Sequence, residues 1–106
     1  MPEAEWIVIE DIDPQNAQFP LVAGVNGNEV IIFKIGERLR GIERWCPHEE
    51  ADLLEGRIMG EMIKCPHHGY IYRLDSGKCM NFQGASNAFV YEVMVAEGKL
   101  RLRRLG

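Results

Sequence analysis

Basic residues, cysteines and long apolar runs are all scarce in this chain of 106 residues. Lys and Arg number 12 against 16 Asp and Glu, the formal charge is −4, and residues 1–33 hold no Lys or Arg at all. Nucleic acid, whose affinity rests on Lys and Arg at phosphates, is therefore not an expected partner. The longest apolar runs, such as Val30–Phe33, fall far short of the roughly 20 residues of a spanning helix, so no membrane segment is expected. The acidic start Met1-Pro2-Glu3-Ala4-Glu5 has neither the basic region nor the apolar stretch of a secretory signal, and a cytoplasmic location follows. Only 3 cysteines occur. An odd number cannot complete an intrachain disulfide framework, and a reducing cytosol disfavours one anyway. Metal binding or buried thiols remain. What is present is otherwise ordinary: 46% hydrophobic and 26% charged residues exclude dominant disorder and indicate one soluble globular domain.

Short β-prone segments punctuated by turns run through the whole chain. Trp6–Glu10, Leu21–Val25, Glu29–Ile35, Arg38–Glu43, Met62–Lys64, Tyr70–Leu74, Phe89–Ala96 and Lys99–Arg104 read as strands. Asn26-Gly27 is suited to a type I′ turn, in which both central residues need positive φ. Further turns are expected at Gly36-Glu37, Gly60-Glu61, Asp75-Ser76-Gly77 and Glu97-Gly98. The fold class is therefore all-β, a sandwich or open barrel. Glu49–Glu55 is the best helical candidate, too short for more than a loop or a single turn. In Lys99–Arg104, Leu100 and Leu102 alternate with Lys99, Arg101 and Arg103. This reads as an edge strand with a solvated basic face, a docking patch being the other reading.

The chemistry concentrates in two segments. All 3 histidines fall between positions 48 and 68 beside two of the cysteines. The pattern is Cys46-Pro47-His48, 16 intervening residues, then Cys65-Pro66-His67-His68-Gly69. An inferred hairpin, Arg57–Met59 to Met62–Lys64, would set the two flanking loops side by side, each stiffened by a proline. Two sulfurs and two nitrogens around one small volume fit either of two metal chemistries. A structural zinc would take all four tetrahedrally. A 2Fe–2S centre with mixed ligands would put both thiolates on one iron and both imidazoles on the other. Zinc fingers usually keep like ligands together, whereas each segment here mixes one Cys with one His. That alternation favours the iron–sulfur reading.

The segment Cys46-Pro-His-Glu-Glu-Ala-Asp-Leu-Leu-Glu-Gly56, followed by Cys65-Pro-His-His-Gly-Tyr-Ile-Tyr72, closely resembles the Rieske iron–sulfur family. It is most similar to the small soluble ferredoxins of multicomponent, ring-hydroxylating oxygenases. Asp75-Ser-Gly-Lys-Cys79 resembles the turn that commonly follows the second cluster loop. The resemblance implies a Rieske-like fold of antiparallel sheets, with a cluster-binding subdomain at about residues 44–84 inserted in a basal β domain. It implies one 2Fe–2S cluster held by Cys46, His48, Cys65 and His68. His67 stands at a position that varies in the family and is read as a neighbour. High-potential members carry a further cysteine in each loop, where this chain has Ala51 and His67. Their serine donor to a bridging sulfide is replaced by Tyr70, while Tyr72 matches a tyrosine that donates to a cysteine sulfur, core packing of its ring with the hydroxyl on water or backbone being the equal alternative. Cys79 lies outside the ligand set and is expected as a buried or partly buried free thiol.

With every ligand position filled, no catalytic residue is expected, and the chain reads as an electron carrier and not an enzyme. The resemblance implies transfer from a flavin-containing reductase to a terminal oxygenase by a monomer, with His48 and His68 at the point of electron exchange. The small Rieske-like subunit of an assimilatory nitrite reductase is the alternative, and a zinc-bound interaction module the lower one. Glu49, Glu50, Asp52, Glu55 and Glu61 against Arg57 and Lys64 read as solvated loop charges, an acidic rim that steers a basic partner being the other reading.

Overall fold

A computed structural model describes residues 5–47, 51–67 and 69–105. Its strands are β1 (Ile7–Ile9), β2 (Leu21–Val25), β3 (Asn28–Ile35), β4 (Arg38–Glu43), β5 (Arg57–Met59), β6 (Met62–Lys64), β7 (Ile71–Arg73), β8 (Val90–Ala96) and β9 (Lys99–Arg104). A six-stranded sheet has the order β1-β9-β8-β4-β3-β2, and a three-stranded sheet the order β5-β6-β7. Every pairing is antiparallel. The all-β expectation holds. No helix among the described residues is long and apolar enough to cross a membrane.

Local sequence fixes the hairpins. Val25 pairs with Asn28, leaving Asn26 and Gly27 as the two-residue turn. Their φ values of 50° and 84° give the mirror-image turn whose twist matches the flanking strands. Within Glu49–Glu55, the best helical candidate in the sequence, the described residues make the expected single turn, a 3₁₀ turn at Leu53–Glu55, capped by the Asp52 side chain accepting from Leu54 N at 3.0 Å.

β3 explains how the site is held. Its alternate residues serve two different apolar clusters. Val30 and Ile32 join Ile9, Ala23, Val25, Tyr91, Leu100 and Leu102 inside the curled large sheet. Ile31 and Phe33 face the other way, packing with Ile42 and Val90 against Leu53, Ile63, Tyr72 and Leu74 of the inserted segment. A four-residue apolar run is what a strand buried on both faces requires. Between β4 and β8 the approach is close: a Cβ on Gly41 would lie 3.1 Å from Tyr91 Cβ.

The small sheet is seated mainly by this packing. Ile63, Tyr72 and Leu74 are each 0% exposed, and full burial of one such side chain stabilises by about 1.5–3 kcal/mol. Arg40 Nε of β4 also reaches Glu61 Oε2 in the β5–β6 turn at 3.0 Å. A part-exposed pair of this kind contributes about 1 kcal/mol or less. Apolar burial therefore sets the position and the ion pair trims it.

One strand reading is corrected. β9 is not an edge: β1 covers it, through Ile7↔Leu102 and Ile9↔Leu100. Alternation of Leu with Arg is common to edge strands and to any strand with one wet face, so β9 alone could not reveal β1. Its basic residues are matched by neighbours. Lys99 pairs with Glu10, Arg101 with Glu97 at 3.2 Å, and Arg103 with Glu92. Arg104 lies 3.8 Å over the Phe89 ring.

Candidate metal centre

Both cysteine loops spring from strand ends and close in the same way. After β4, Arg44 and Trp45 lead to Cys46, whose N–H donates to Ala51 O at 2.8 Å. Directly after β6, Cys65 N–H donates to Tyr70 O at 2.7 Å. In each case the cysteine's own amide binds the carbonyl five residues on, leaving a short loop of equal length. The β5–β6 hairpin between them pairs Arg57 with Lys64 and Met59 with Met62, as the sequence suggested.

The base of the first loop is clipped by charge. Arg44 meets Asp52 twice, Nε to Oδ1 at 3.1 Å and Nη2 to Oδ2 at 2.9 Å. It also meets Glu29 of β3 at 2.7 Å. Trp45 and Asp52 form an isolated bridge, and Leu53 N–H donates to Arg44 O at 2.7 Å. The guanidinium holds the Asp52 carboxyl below its ordinary range. The same loop closed without the clip would leave its two limbs joined by backbone alone.

Cys46 and Cys65 are each 1% exposed, belong to one apolar cluster, and are free of disulfides. Beneath them stands Tyr72 of β7, 0% exposed, with its hydroxyl 3.2 Å from Cys46 Sγ. Burial, and then the thiols around it, raise this phenol above its ordinary value. Cys79 is half-buried, its backbone bridged to Tyr72. The two expected sulfur ligands thus lie in the same buried apolar cluster. His48 and His68 lie outside the described residues, as do Glu49 and Glu50. His67 is described and exposed. Among the described residues no group of three His, Cys, Asp or Glu side chains is gathered to hold a metal.

The expected acidic rim is smaller than its sequence count. Asp52 is taken by Arg44, and Glu61 by Arg40 with Arg38 at 3.7 Å. A third segment at the site is residues 80–87, in which sequence reading gave no role to Asn81 or Phe82. Its Asn81 binds the backbone that leaves the second loop, and its Phe82 ring sits 4.4 Å from that of Tyr70. Nothing in a lone Asn or Phe marks them for this, since the contact depends on where the turn after β7 delivers the chain.

A family model for the Rieske 2Fe–2S domain matches residues 5–96. The chain belongs to that family. Its cofactor is accordingly a 2Fe–2S cluster, and the residues present suit it: two buried free thiols with a phenol against one of them. The ferredoxin CarAc of Metapseudomonas resinovorans is 28% identical over 88 residues, covering 83% of this chain and 82% of its own. Cholesterol 7-desaturase of Xenopus laevis is 33% identical over 55 residues, and there the chain spans only 12% of the relative. Among solved structures, the ferredoxin of carbazole 1,9a-dioxygenase from Nocardioides aromaticivorans IC177 superposes with a TM-score of 0.76 at 22% identity, covering 90% of this chain and 95% of that one. A chain of a complex between reduced oxygenase and oxidised ferredoxin in carbazole 1,9a-dioxygenase gives 0.72 at 24%, with 92% of each covered. These structural likenesses share the Rieske fold.

Proposed function

We propose that this Rieske chain is a one-electron carrier, a ferredoxin passing electrons from a flavin-containing reductase to a terminal oxygenase as a cytoplasmic monomer. Cys46 and Cys65 would hold one iron of the cluster, His48 and His68 the other, with residues 44–84 as the cluster-binding subdomain. The observation that carries the reading is the pair of buried, disulfide-free cysteines opening two equally closed loops over Tyr72. The two-sided match to ferredoxin CarAc, 83% of this chain and 82% of that one, supports a carrier.

When bound, the cluster supplies reversible one-electron chemistry, at a potential raised by its neutral imidazole ligands. The chain does the rest. Its core-facing loop bases exclude water from the two thiolates, which an apolar setting would otherwise disfavour as charged groups. With Cys46 held as a thiolate, the Tyr72 hydroxyl 3.2 Å away would donate to it, compensating one of them. Four protein ligands leave no site for substrate, so oxygenation belongs to the partner.

Two measurements test this. Protein purified without added metal should contain two irons and two acid-labile sulfides per chain and give an electron-paramagnetic signal on reduction. Pre-reduced, it should be reoxidised by a ring-hydroxylating terminal oxygenase with one electron delivered per chain. Stoichiometric zinc without iron would overturn the cluster reading. Co-elution as a permanent complex with a large reductase would replace the mobile carrier with a fixed subunit.

A further inference from the structure

We propose that Asn81 is a positioning residue for the second cluster loop. Its carboxamide spans Gly69 and Ile71 and fixes the limb that runs on from His68. This rests on the ligand set proposed above.

The limb is paired along one edge by β6, and along the other only by a short bridge to residues 78–80. Ile71 opens β7 and pairs with Lys64 of β6 on one side. On the other side Arg73 N–H donates to Lys78 O at 2.9 Å and Met80 N–H to Ile71 O at 2.7 Å, flanking the Tyr72–Cys79 bridge, and among the described residues no backbone carries this pairing on toward Gly69. Asn81 continues it with its side chain. Ile71 N–H donates to Asn81 Oδ1 at 2.9 Å, and Asn81 Nδ2 donates to Gly69 O at 2.7 Å. The amide's orientation is fixed by its partners, because a peptide N–H demands the oxygen and a carbonyl demands the nitrogen. A primary amide imitates a peptide unit here, and no other side chain of that length offers both a donor and an acceptor.

The loop that carries Asn81 is itself braced. Cys79 N–H donates to Asn87 Oδ1 at 3.0 Å, and Phe82 packs on Tyr70. Residues 81–87 contain no proline, so ring-imposed stiffness is absent and hydrogen bonds must supply it. Gly69 has φ +71°, a left-handed reversal directly after His68. A reversal with a free outgoing limb would let the loop swing. The Asn81 amide removes that freedom at Gly69 O, the first carbonyl past the ligand.

The test compares Asn81→Ala, which loses both bonds, and Asn81→Asp, which keeps the acceptor for Ile71 but sets a carboxylate against Gly69 O. In holoprotein challenged with an iron chelator, both should bleach about tenfold faster than wild type, the worth of two modest net hydrogen bonds. Asn81→Asp should be at least as fast as Asn81→Ala. Their reduced paramagnetic spectra should show altered g anisotropy, which responds to histidine orientation and not to general stability. If Asn81→Ala does not accumulate with cluster, Asn81→Ser is read in the same way. Bleaching and g values equal to wild type in both variants would overturn the proposal, even if the melting temperature falls. A wild-type chain without the cluster overturns the ligand reading and this proposal together. A loaded wild type with unaffected Asn81 variants overturns this proposal alone.

Discussion

Removing one oxygen atom, by Tyr72→Phe, should lower the reduction potential by tens of millivolts. Tyr72 is 0% exposed and its hydroxyl lies 3.2 Å from Cys46 Sγ. A thiolate ligand accepts hydrogen bonds and donates none, so the phenol is the donor. Reduction makes the cluster one unit more negative, and a donor to a cluster sulfur then stabilises the reduced state more than the oxidised one. A differential bond of about 0.5–1 kcal/mol lies in the ordinary net range. For one electron, 59 mV is a tenfold change in equilibrium constant, or about 1.4 kcal/mol. The expected fall is therefore about 20–45 mV. The ring stays and packs as before, so the assay is a dye-mediated titration or protein-film voltammetry, with the visible spectrum showing an intact cluster. A midpoint unchanged within a few millivolts would assign Tyr72 to packing alone, and a rise would refute the sign. With no loop disulfide and no serine donor, the wild-type midpoint is expected near the low end of the Rieske range, about −150 mV. A value above about +100 mV would refute that placement.

Three further outcomes are expected. His68→Ala should abolish cluster binding while His67→Ala largely preserves it, read by iron and sulfide content; the reverse would move the ligand to His67. Asp52→Asn keeps the cap acceptor to Leu54 but removes the charge facing Arg44, so its melting temperature should fall below wild type at neutral pH. The folded Asp52 carboxyl sits below its ordinary value, so its contribution is complete above about pH 4 and fades as pH drops through the folded value. The gap between the two proteins should close in acid, and a gap constant with pH would dismiss the ion pair. Asp52→Ala should lose about 1 kcal/mol more, by removing the cap as well. Neutralising Glu49 and Glu50 should slow association with a basic partner at low salt more than neutralising Asp52 or Glu61, which already have arginine partners. A partner rate indifferent to salt would remove steering, because exposed charges are screened within about 8–10 Å.

The strands were legible because their signals are local. Turn pairs such as Asn26-Gly27 demand backbone angles that few residues adopt, and the apolar run of β3 demands two buried faces. What was not legible is which strand lies beside which. β9 reads as an edge because its own alternation reports one wet face; only the distant, short β1, with nothing but Ile-Val-Ile to announce it, makes it interior. Likewise the acidic count between the two cysteines overstated the rim, since Arg44 and Arg40 come from β4 and its exit and meet those carboxylates only after folding.

The site divides along the same line. Cysteine and histidine announce themselves by rarity and spacing, because metal chemistry admits few donor types. The residues that hold the two loops do not. Arg44 clips one loop from within its own base, by a double contact to Asp52 that any surface Arg and Asp might equally have made or missed. Asn81 clips the other from ten residues downstream of Ile71, through backbone groups that every residue possesses. Ligand identity is thus written in residue type, whereas ligand placement is written in contacts between segments. A chain carrying all four ligands but lacking the Arg44–Asp52 and Asn81 clips should still read as a Rieske sequence, yet release its cluster readily.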